Sequence, residues 1–303
     1  MSTTTPQATP VLAAADGPPP APQAGALRRF AGWLRDDTRA ALSLGFLLLV
    51  VVLAIAAPFI APFPPIQQDL ANTLAPADSV HWFGTDDLGR DVMSRLIHGA
   101  PASLYASLLA VGVAIVLGVP VGLIAGFAGG WVDDVISRAI DSLLSFPAIV
   151  LAIAVTGALG IGLTNGMISV GIVFAPQLAR LVRARTLVVK HELYVDAARC
   201  FGGGTGRLLW RHVLPNTVQP VIVQVTLLLA GALLAEASLS FLGLGIQPPN
   251  PSWGGMLARA YQNMELAPNQ MLAPGLAILF TALAFNSLGE SLRVALDPTM
   301  KRL

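Results

Sequence analysis

Charge is scarce in this 303-residue chain. Only 12% of its residues are Asp, Glu, Lys or Arg, about half the share found in soluble domains, whereas 54% are hydrophobic and the mean hydropathy is +0.69. The 18 basic and 17 acidic residues leave a formal net charge of +1, so no overall positive field favours a nucleic acid as partner. This composition excludes an ordinary soluble protein and indicates a chain that lies mainly in lipid.

Residue types that carry catalysis or bind metals are also few. The single cysteine, Cys200, excludes an internal disulfide framework and a metal site built from clustered cysteines. The four histidines lie far apart, without the spacing of metal ligands: His81, His98, His191 and His212. Neither a phosphate-binding glycine loop followed by Lys and Ser or Thr nor a nucleophile-elbow serine is found. We therefore predict no catalytic residue, no metal site, no cofactor bound by this chain and no nucleic-acid partner.

Long uncharged stretches are what the sequence has instead. Residues 41–60 are twenty uncharged positions dominated by Leu, Val, Ala and Ile, which as a helix match a hydrocarbon core of about 30 Å. Similar stretches cover residues 100–131, 142–178, 213–235 and 271–289. The stretch 142–178 is too long for one crossing and is interrupted near 160–165, so we count it as two. The sequence thus predicts an all-α integral membrane fold with six transmembrane helices.

The composition between these spans predicts how the chain is organised. We expect a disordered Pro/Ala-rich tail with a basic juxtamembrane segment (1–40), a first transmembrane helix with an outer segment (41–100), a core of five helices (101–293) and a short tail (294–303). Fifteen of the 18 basic residues lie on the side of both termini, and three lie on the other side: Arg90, Arg95 and Arg259. Because Lys and Arg accumulate in cytoplasmic segments, both termini are predicted to be cytoplasmic. The step Ser145–Phe146–Pro147 is expected to bend the third span.

The cytoplasmic segment between spans four and five, at about 186–216, has the most informative pattern. Helical spacing places four small or aromatic residues on one face: Tyr194, Ala197, Ala198 and Phe201. The charged residues lie largely elsewhere: Glu192, Asp196 and Arg199. This predicts a short amphipathic helix that ends at Gly202. Small alanines would let the surface of another protein approach closely, but a helix that only joins two spans fits the same spacing.

A family resemblance adds to this interpretation. Asp196, Ala197 and Ala198, followed by Gly202 and then by Leu214 and Pro215, resemble the Glu-Ala-Ala coupling loop of bacterial ABC importer permeases, with Asp in place of the usual Glu. Three further motifs resemble those of dipeptide and oligopeptide permeases, at 81–95, 236–254 and 285–298. Over about residues 30–303, the chain resembles the second permease subunit of the dipeptide, oligopeptide and nickel ABC importers.

The resemblance implies the type I ABC importer permease fold in a bacterial inner or plasma membrane. It also implies partners: a second homologous permease, two ATP-binding subunits or domains that use ATP and Mg, an extracytoplasmic substrate-binding protein, the lipid bilayer and a peptide substrate. The coupling-loop residues expected to dock on the ATPase are Glu192, Tyr194, Asp196, Ala197, Ala198, Arg199, Phe201, Gly202, Leu214 and Pro215. The alternative is the same type of importer with haem, a nickel chelate or glutathione as its cargo. A stand-alone channel or secondary carrier is the alternative class of protein.

The outer segments are expected to form part of the surface that meets the binding protein. The residues proposed for this surface are Asp86, Asp87, Arg90, Asp91, Arg95 and Trp253. The alternative is that these segments pack on each other and cap the helical bundle. Three polar residues in or near the spans are candidates for lining the translocation pathway: Gln224, Glu236 and Asn286.

Overall fold

The structure, a computed structural model, describes residues 32–296. Most of the predicted tail at 1–40, the last residues of the tail at 294–303, and the end of the motif at 285–298 lie outside the described residues. Residues 32–36 are helical. The α-helices that follow, in chain order, are α1 (Thr38–Ile60), α2 (Val92–Ala128), α3 (Gly130–Leu144), α4 (Ala148–Leu159), α5 (Leu163–Val189), α6 (Leu193–Cys200), α7 (Thr205–Leu208), α8 (Leu214–Phe241), α9 (Trp253–Gln262) and α10 (Leu272–Leu296). Two 3₁₀ turns, Leu70–Asn72 and Pro268–Met271, and a π-helical turn, Leu209–Val213, complete the order.

Five helical stretches in the described part are long and apolar enough to cross a membrane: α1, α2, α5, the stretch Thr205–Phe241 that ends with α8, and the stretch Pro268–Leu296 that contains α10. A sixth crossing results when α3 and α4 are counted as one bent span. The predicted all-α fold with six spans is thereby confirmed, with the third span as the bent pair.

The third span is broken where the sequence predicts a bend. α3 ends at Leu144, α4 begins at Ala148, and their axes differ by 96°. Pro147 has φ −57° and ψ 124°, which is extended rather than helical backbone, and it has no N–H to continue the hydrogen bonds of α3. The proline therefore separates two helices instead of bending one. Two ion pairs hold α3 on α5, Arg183 with Asp133 and Arg180 with Asp141.

Side-chain hydrogen bonds join the helices at the two ends of the bundle, which we call the α6 end and the α9 end after the short helix that lies at each. At the α6 end, the Lys190 ammonium donates to the carbonyl oxygen of Gly126 at 2.8 Å, so that α5 and α2 finish side by side. At the same end, the hydroxyl of Ser291 on α10 donates to the Asp37 carboxylate before α1 and lowers the pKa of that carboxyl. At the opposite α9 end, the Trp253 indole donates to the carbonyl oxygen of Leu96 at 2.9 Å. The first and last described spans thus both have a terminus at the α6 end.

The most extensive helix contact in the described part joins α2 and α5. Along it, glycines let the two backbones approach so closely that side chains would collide. A Cβ atom built on Gly122 would lie 2.4 Å from the carbonyl oxygen of Ala179, and one on Gly171 would lie 2.5 Å from that of Ala110. In lipid, helices associate through such close packing rather than through the hydrophobic effect. α8 packs on this pair, α10 packs on α8, α1 packs on α10 and α2, and α4 packs on α5.

Enlarging Gly122 is predicted to break the α2–α5 pair. We expect Gly122→Leu to destabilise the protein by about 3 kcal/mol or more, because the rigid backbone of α5 cannot make room for the new side chain. Gly112→Leu on the same helix is the control, since a Cβ there meets no atom within 4 Å. The measurement is SDS-induced unfolding of the purified protein. Equal stability of the two variants would contradict the close-packing argument.

Candidate functional site

The coupling-loop segment, residues 190–215, stands on an apolar base. Val195 of α6 is fully buried, and it shares one hydrophobic cluster with Leu208 and Val213 of the same segment. The cluster continues into α5 through Leu178 and Val182. The segment is therefore fixed to α5 and α8 by buried side chains rather than tethered by flexible loops.

The opposite face of α6 is exposed and apolar. Leu193 is 85% exposed and Phe201 is 93% exposed, with Tyr194 and Ala197 between them on the same surface. Ala198, which the spacing assigns to that face, is half-buried and packs against the cluster beneath. Sequence analysis missed Leu193, although Leu193, Ala197 and Phe201 recur every four residues, which is the spacing that indicates one helical face. An exposed apolar patch of this kind is typical of a surface that another protein covers.

Polar residues border this patch. Asp196 and Arg199 form an ion pair of 3.2 Å across one helical turn, with both side chains about half exposed. Glu192 occupies the N-cap position of α6 and is exposed. Partial desolvation of the Tyr194 phenol, reinforced by the negative charge of Glu192, raises its pKa above the usual value.

The limits of the segment follow the sequence prediction. α6 ends at Cys200, and Gly202 has φ +79°, a left-handed conformation that reverses the chain at little cost only for glycine. Leu214 is half-buried and Pro215 is exposed, both in the first turn of α8. The predicted short helix and its stop at Gly202 are confirmed. The docking role of these residues remains a prediction.

At the α9 end, the outer segment 61–91 is folded around a buried arginine. Arg90 is 1% exposed, and its guanidinium donates from Nε to Asp86 Oδ2 at 2.7 Å and from Nη2 to Asp87 Oδ1 at 3.4 Å. Asp86 Oδ1 also accepts the backbone N–H groups of Leu88 and Arg90 at 3.0 Å each. The arginine and the turn that carries its partners thus stabilise one another.

Two further residues join this segment to the rest of the α9 end. Asp91 caps α2 by accepting from the backbone N–H of Ser94 at 2.7 Å and from its hydroxyl at 2.6 Å. The Arg95 guanidinium donates to the carbonyl oxygens of Pro65 at 2.6 Å and Pro249 at 3.4 Å. Arg95 therefore connects the segment between α1 and α2 with the segment between α8 and α9.

This burial corrects part of the outer-surface prediction. Arg90, Asp91, Arg95 and Trp253 are each at most 4% exposed, so they contact other parts of this chain and present no surface to a partner. Their charges and hydrogen-bond donors are satisfied by segments distant in the sequence, which spacing along the chain does not reveal. For these four residues the structure has the alternative arrangement, in which the outer segments pack on each other. Asp86 and Asp87 are only partly buried, with side chains 13% and 29% exposed.

The pathway candidates are not brought together. Glu236 is 1% exposed between α2, α8 and α9, where Ser240 donates to its Oε1 at 2.9 Å and a Cβ on Gly254 would lie 2.8 Å from its Oε2. It is therefore enclosed by this chain and lines no open path, which corrects that prediction. Gln224 is half-buried on α8 and Asn286 is exposed on α10. Among residues 32–296, no group of three or more His, Cys, Asp or Glu side chains has the arrangement of a metal site.

Two family models match the chain. Residues 118–302 match the model described as binding-protein-dependent transport system inner membrane component, a range that includes the whole coupling-loop segment. Residues 26–77 match the model described as the N-terminal transmembrane domain of oligopeptide transport permease C.

Several curated proteins are similar over nearly their whole length. A dipeptide transport system permease protein of Alkalihalophilus pseudofirmus is 40% identical over 289 residues, covering 94% of this chain and 95% of that protein. A glutathione transport system permease protein of Pectobacterium atrosepticum is 42% identical over 275 residues, 90% of each chain. One of Escherichia coli is 46% identical over 257 residues, 84% of this chain and 85% of its own.

The fold also resembles a solved transporter. The inward-facing MetNI methionine ABC transporter matches with a TM-score of 0.56 and 18% identity, covering 68% of this chain and 98% of the matched chain. At this identity the likeness concerns the fold alone, and it agrees with the predicted type I importer permease architecture.

Removing the carboxylate that faces Arg90 is predicted to destabilise the α9 end. Asp86→Asn leaves a guanidinium that is almost fully buried without its main counter-ion, and we expect a loss of about 3 kcal/mol in unfolding free energy. The control is Asp141→Asn, which breaks an ion pair whose two side chains are more than half exposed and should cost under about 1 kcal/mol. SDS titration of both variants gives the comparison, and equal losses would show that burial of Arg90 is not decisive.

Proposed function

The chain belongs to the family of binding-protein-dependent transport system inner membrane components, and on this premise we propose that it is the second permease subunit of an ATP-driven importer of short peptides. It is a multi-pass membrane protein of the permease class. The observation that carries the proposal is the exposed apolar face of α6 on a segment whose other face is buried against α5 and α8.

The proposed complex contains a second homologous permease, two ATP-binding subunits and an extracytoplasmic substrate-binding protein. ATP and Mg are used by the ATP-binding subunits, because this chain has no phosphate-binding glycine loop. The α6 end faces the cytoplasm in this proposal. The fifteen-to-three distribution of basic residues supports that orientation, as does the contact between Asp37 and Ser291, which brings the start of α1 and the end of α10 to one side.

Coupling follows from how α6 is attached. Leu193, Tyr194, Ala197 and Phe201 dock in an apolar groove of an ATP-binding subunit, bordered by the charges of Asp196 and Arg199. When ATP draws the two ATP-binding subunits together, α6 moves as a rigid body because Val195 is locked to Leu208 and Val213. The displacement reaches α5 and α8 directly and α2 through its close contact with α5. The bundle is thereby shifted between inward-open and outward-open states.

Short peptides are the cargo best supported by the relatives. The dipeptide permease of Alkalihalophilus pseudofirmus covers 94% of this chain, which favours di- and oligopeptides. Glutathione is the second candidate, because the glutathione permease of Escherichia coli has the higher identity of 46%. Both cargoes are small peptides that carry free carboxylates.

ATP hydrolysis by the complex purified through this chain tests the function. The rate is measured without the binding protein and then with the binding protein loaded in turn with dipeptides to pentapeptides, glutathione, haem or a nickel chelate. Stimulation by peptides is expected. Stimulation by haem or a nickel chelate alone would support the importer function but show that the cargo is not a peptide. The absence of any co-purifying ATPase would overturn the proposal.

A charge on the exposed face of α6 is predicted to uncouple transport. Ala197→Arg should lower peptide uptake into proteoliposomes at least about tenfold, because a guanidinium without a partner in an apolar contact weakens docking by more than about 1.4 kcal/mol. Ala184→Arg, at an exposed position on α5 outside the coupling-loop segment, is the matched control. Unchanged uptake by Ala197→Arg in a complex of normal yield would exclude α6 as the docking element.

A further inference from the structure

A cavity of about 320 Å³ lies at the α9 end, between the end of α8, the segment 243–252 and the side of α9. Its walls include the polar side chains of Ser240, Asn250 and Gln262 together with Phe241 and Met256. This volume falls in the range of sites for small molecules, which are typically concave and carry a few polar groups.

The charges around this cavity are all of one sign. Of the described residues that line it, two are arginines, Arg95 from α2 and Arg259 from α9, and none is Asp or Glu. Their acidic neighbours, Asp86 and Asp87, line an adjoining cleft on the other side of the same two guanidinium groups. A ligand in the cavity would therefore meet the cations without an intervening carboxylate.

The positive charge here exceeds the negative charge that pairs with it. Arg90, Arg95 and Arg259 contribute three charges, and their ion-pair partners Asp86 and Asp87 contribute two of the opposite sign. The next carboxylate along the chain, Asp91, is used by Ser94 and His81 and forms no ion pair with the arginines. Within the part of the chain that the structure describes, one cationic charge thus remains without an ion-pair partner in a partly buried site, where an anion is favoured.

Arg259 is the arginine whose guanidinium has free hydrogen-bond donors. Within residues 32–296 its guanidinium makes one hydrogen bond, from Nη1 to Asp87 Oδ2 at 3.2 Å, and its side chain is 29% exposed. A guanidinium has five N–H donors, and two of them in parallel match the two oxygens of a carboxylate. Arg95, by contrast, is 3% exposed and holds Pro65 and Pro249, so it supplies charge rather than free donors.

We propose that this cavity binds the terminal carboxylate of the transported peptide, with Arg259 as the residue that contacts it and Arg95 as a fixed positive charge behind it. The inference rests on the proposed function, since it takes a short peptide as cargo and the α9 end as the side from which cargo arrives. The concave shape and the volume of about 320 Å³ fit a small ligand. Every unmodified peptide carries a terminal carboxylate whatever its sequence, so the site would select for peptides as a class and not for a particular sequence.

Binding of dialanine and of its C-terminal amide to the purified complex tests this site. Isothermal titration in nanodiscs without the binding protein isolates the contribution of the permease. The unaltered protein is expected to bind dialanine more tightly than the amide. Arg259→Gln should weaken dialanine binding about tenfold or more and leave the amide unchanged, because it removes a charge-assisted hydrogen bond. Arg138→Gln, an equal charge change on exposed α3, is the control and should alter neither.

A second variant separates ligand binding from a structural role of the pair. Asp87→Asn removes the partner of Arg259 but keeps the arginine, so it should leave dialanine binding unchanged or strengthen it. Equal weakening by Asp87→Asn and Arg259→Gln would overturn the proposal, because the ion pair would then only hold the fold. No difference between dialanine and its amide in the unaltered protein would overturn it as well.

The proposed function is checked on the same preparation by ATP hydrolysis with peptide-loaded binding protein. If peptides stimulate hydrolysis but dialanine and its amide bind equally well, the carboxylate site is excluded and the proposed importer function still holds. Absence of stimulation would count against the function itself.

Discussion

The close contact of α2 and α5 is the constraint on which the rest of the molecule depends. Side chains as small as a methyl group are excluded at Gly122 and Gly171, because backbone atoms of the facing helix already occupy that space. Lipid offers no hydrophobic gain for bringing two apolar helices together, so dense packing of this kind supplies the cohesion. α8 and α4 then pack against this pair.

Each end of that pair carries a different attachment. At one end α2 and α5 are joined by Lys190 and support the buried underside of α6; at the other, Asp91 caps the start of α2 and Arg95 anchors two outer segments. α2 runs as one helix from the α9 end, where Asp91 caps it, to the end that carries α6. The proposed docking face and the proposed carboxylate cavity lie at opposite ends of the same packed helices.

Local sequence signals predicted what local physics determines. Runs of apolar residues predicted the spans, Gly202 predicted the end of α6, and Pro147 predicted the place where the third span breaks. The 96° angle at that break depends on the packing of α3 against α5, which no local signal contains. The burial of Arg90 and Arg95 was not foreseen for a similar reason. Charged residues are usually exposed, and the carbonyl oxygens that accept from Arg95 are about 30 and 154 positions away in the chain.

The break between α3 and α4 also limits how the chain can exist in a bilayer. α4 has 12 residues, about 18 Å of helix, whereas the hydrocarbon core is about 30 Å thick. Counting α3 and α4 as one span would place the turn at 145–147 within that core. Its N–H groups are paired, Ser145 with the carbonyl oxygen of Asp141 and Phe146 with that of Leu143, while Phe146 and Val150 are more than half exposed. Irregular backbone at such depth is tolerated only when protein covers it or a water-filled cavity adjoins it. Because Phe146 and Val150 beside the turn are left exposed, any cover at this point must come from outside the described part of the chain.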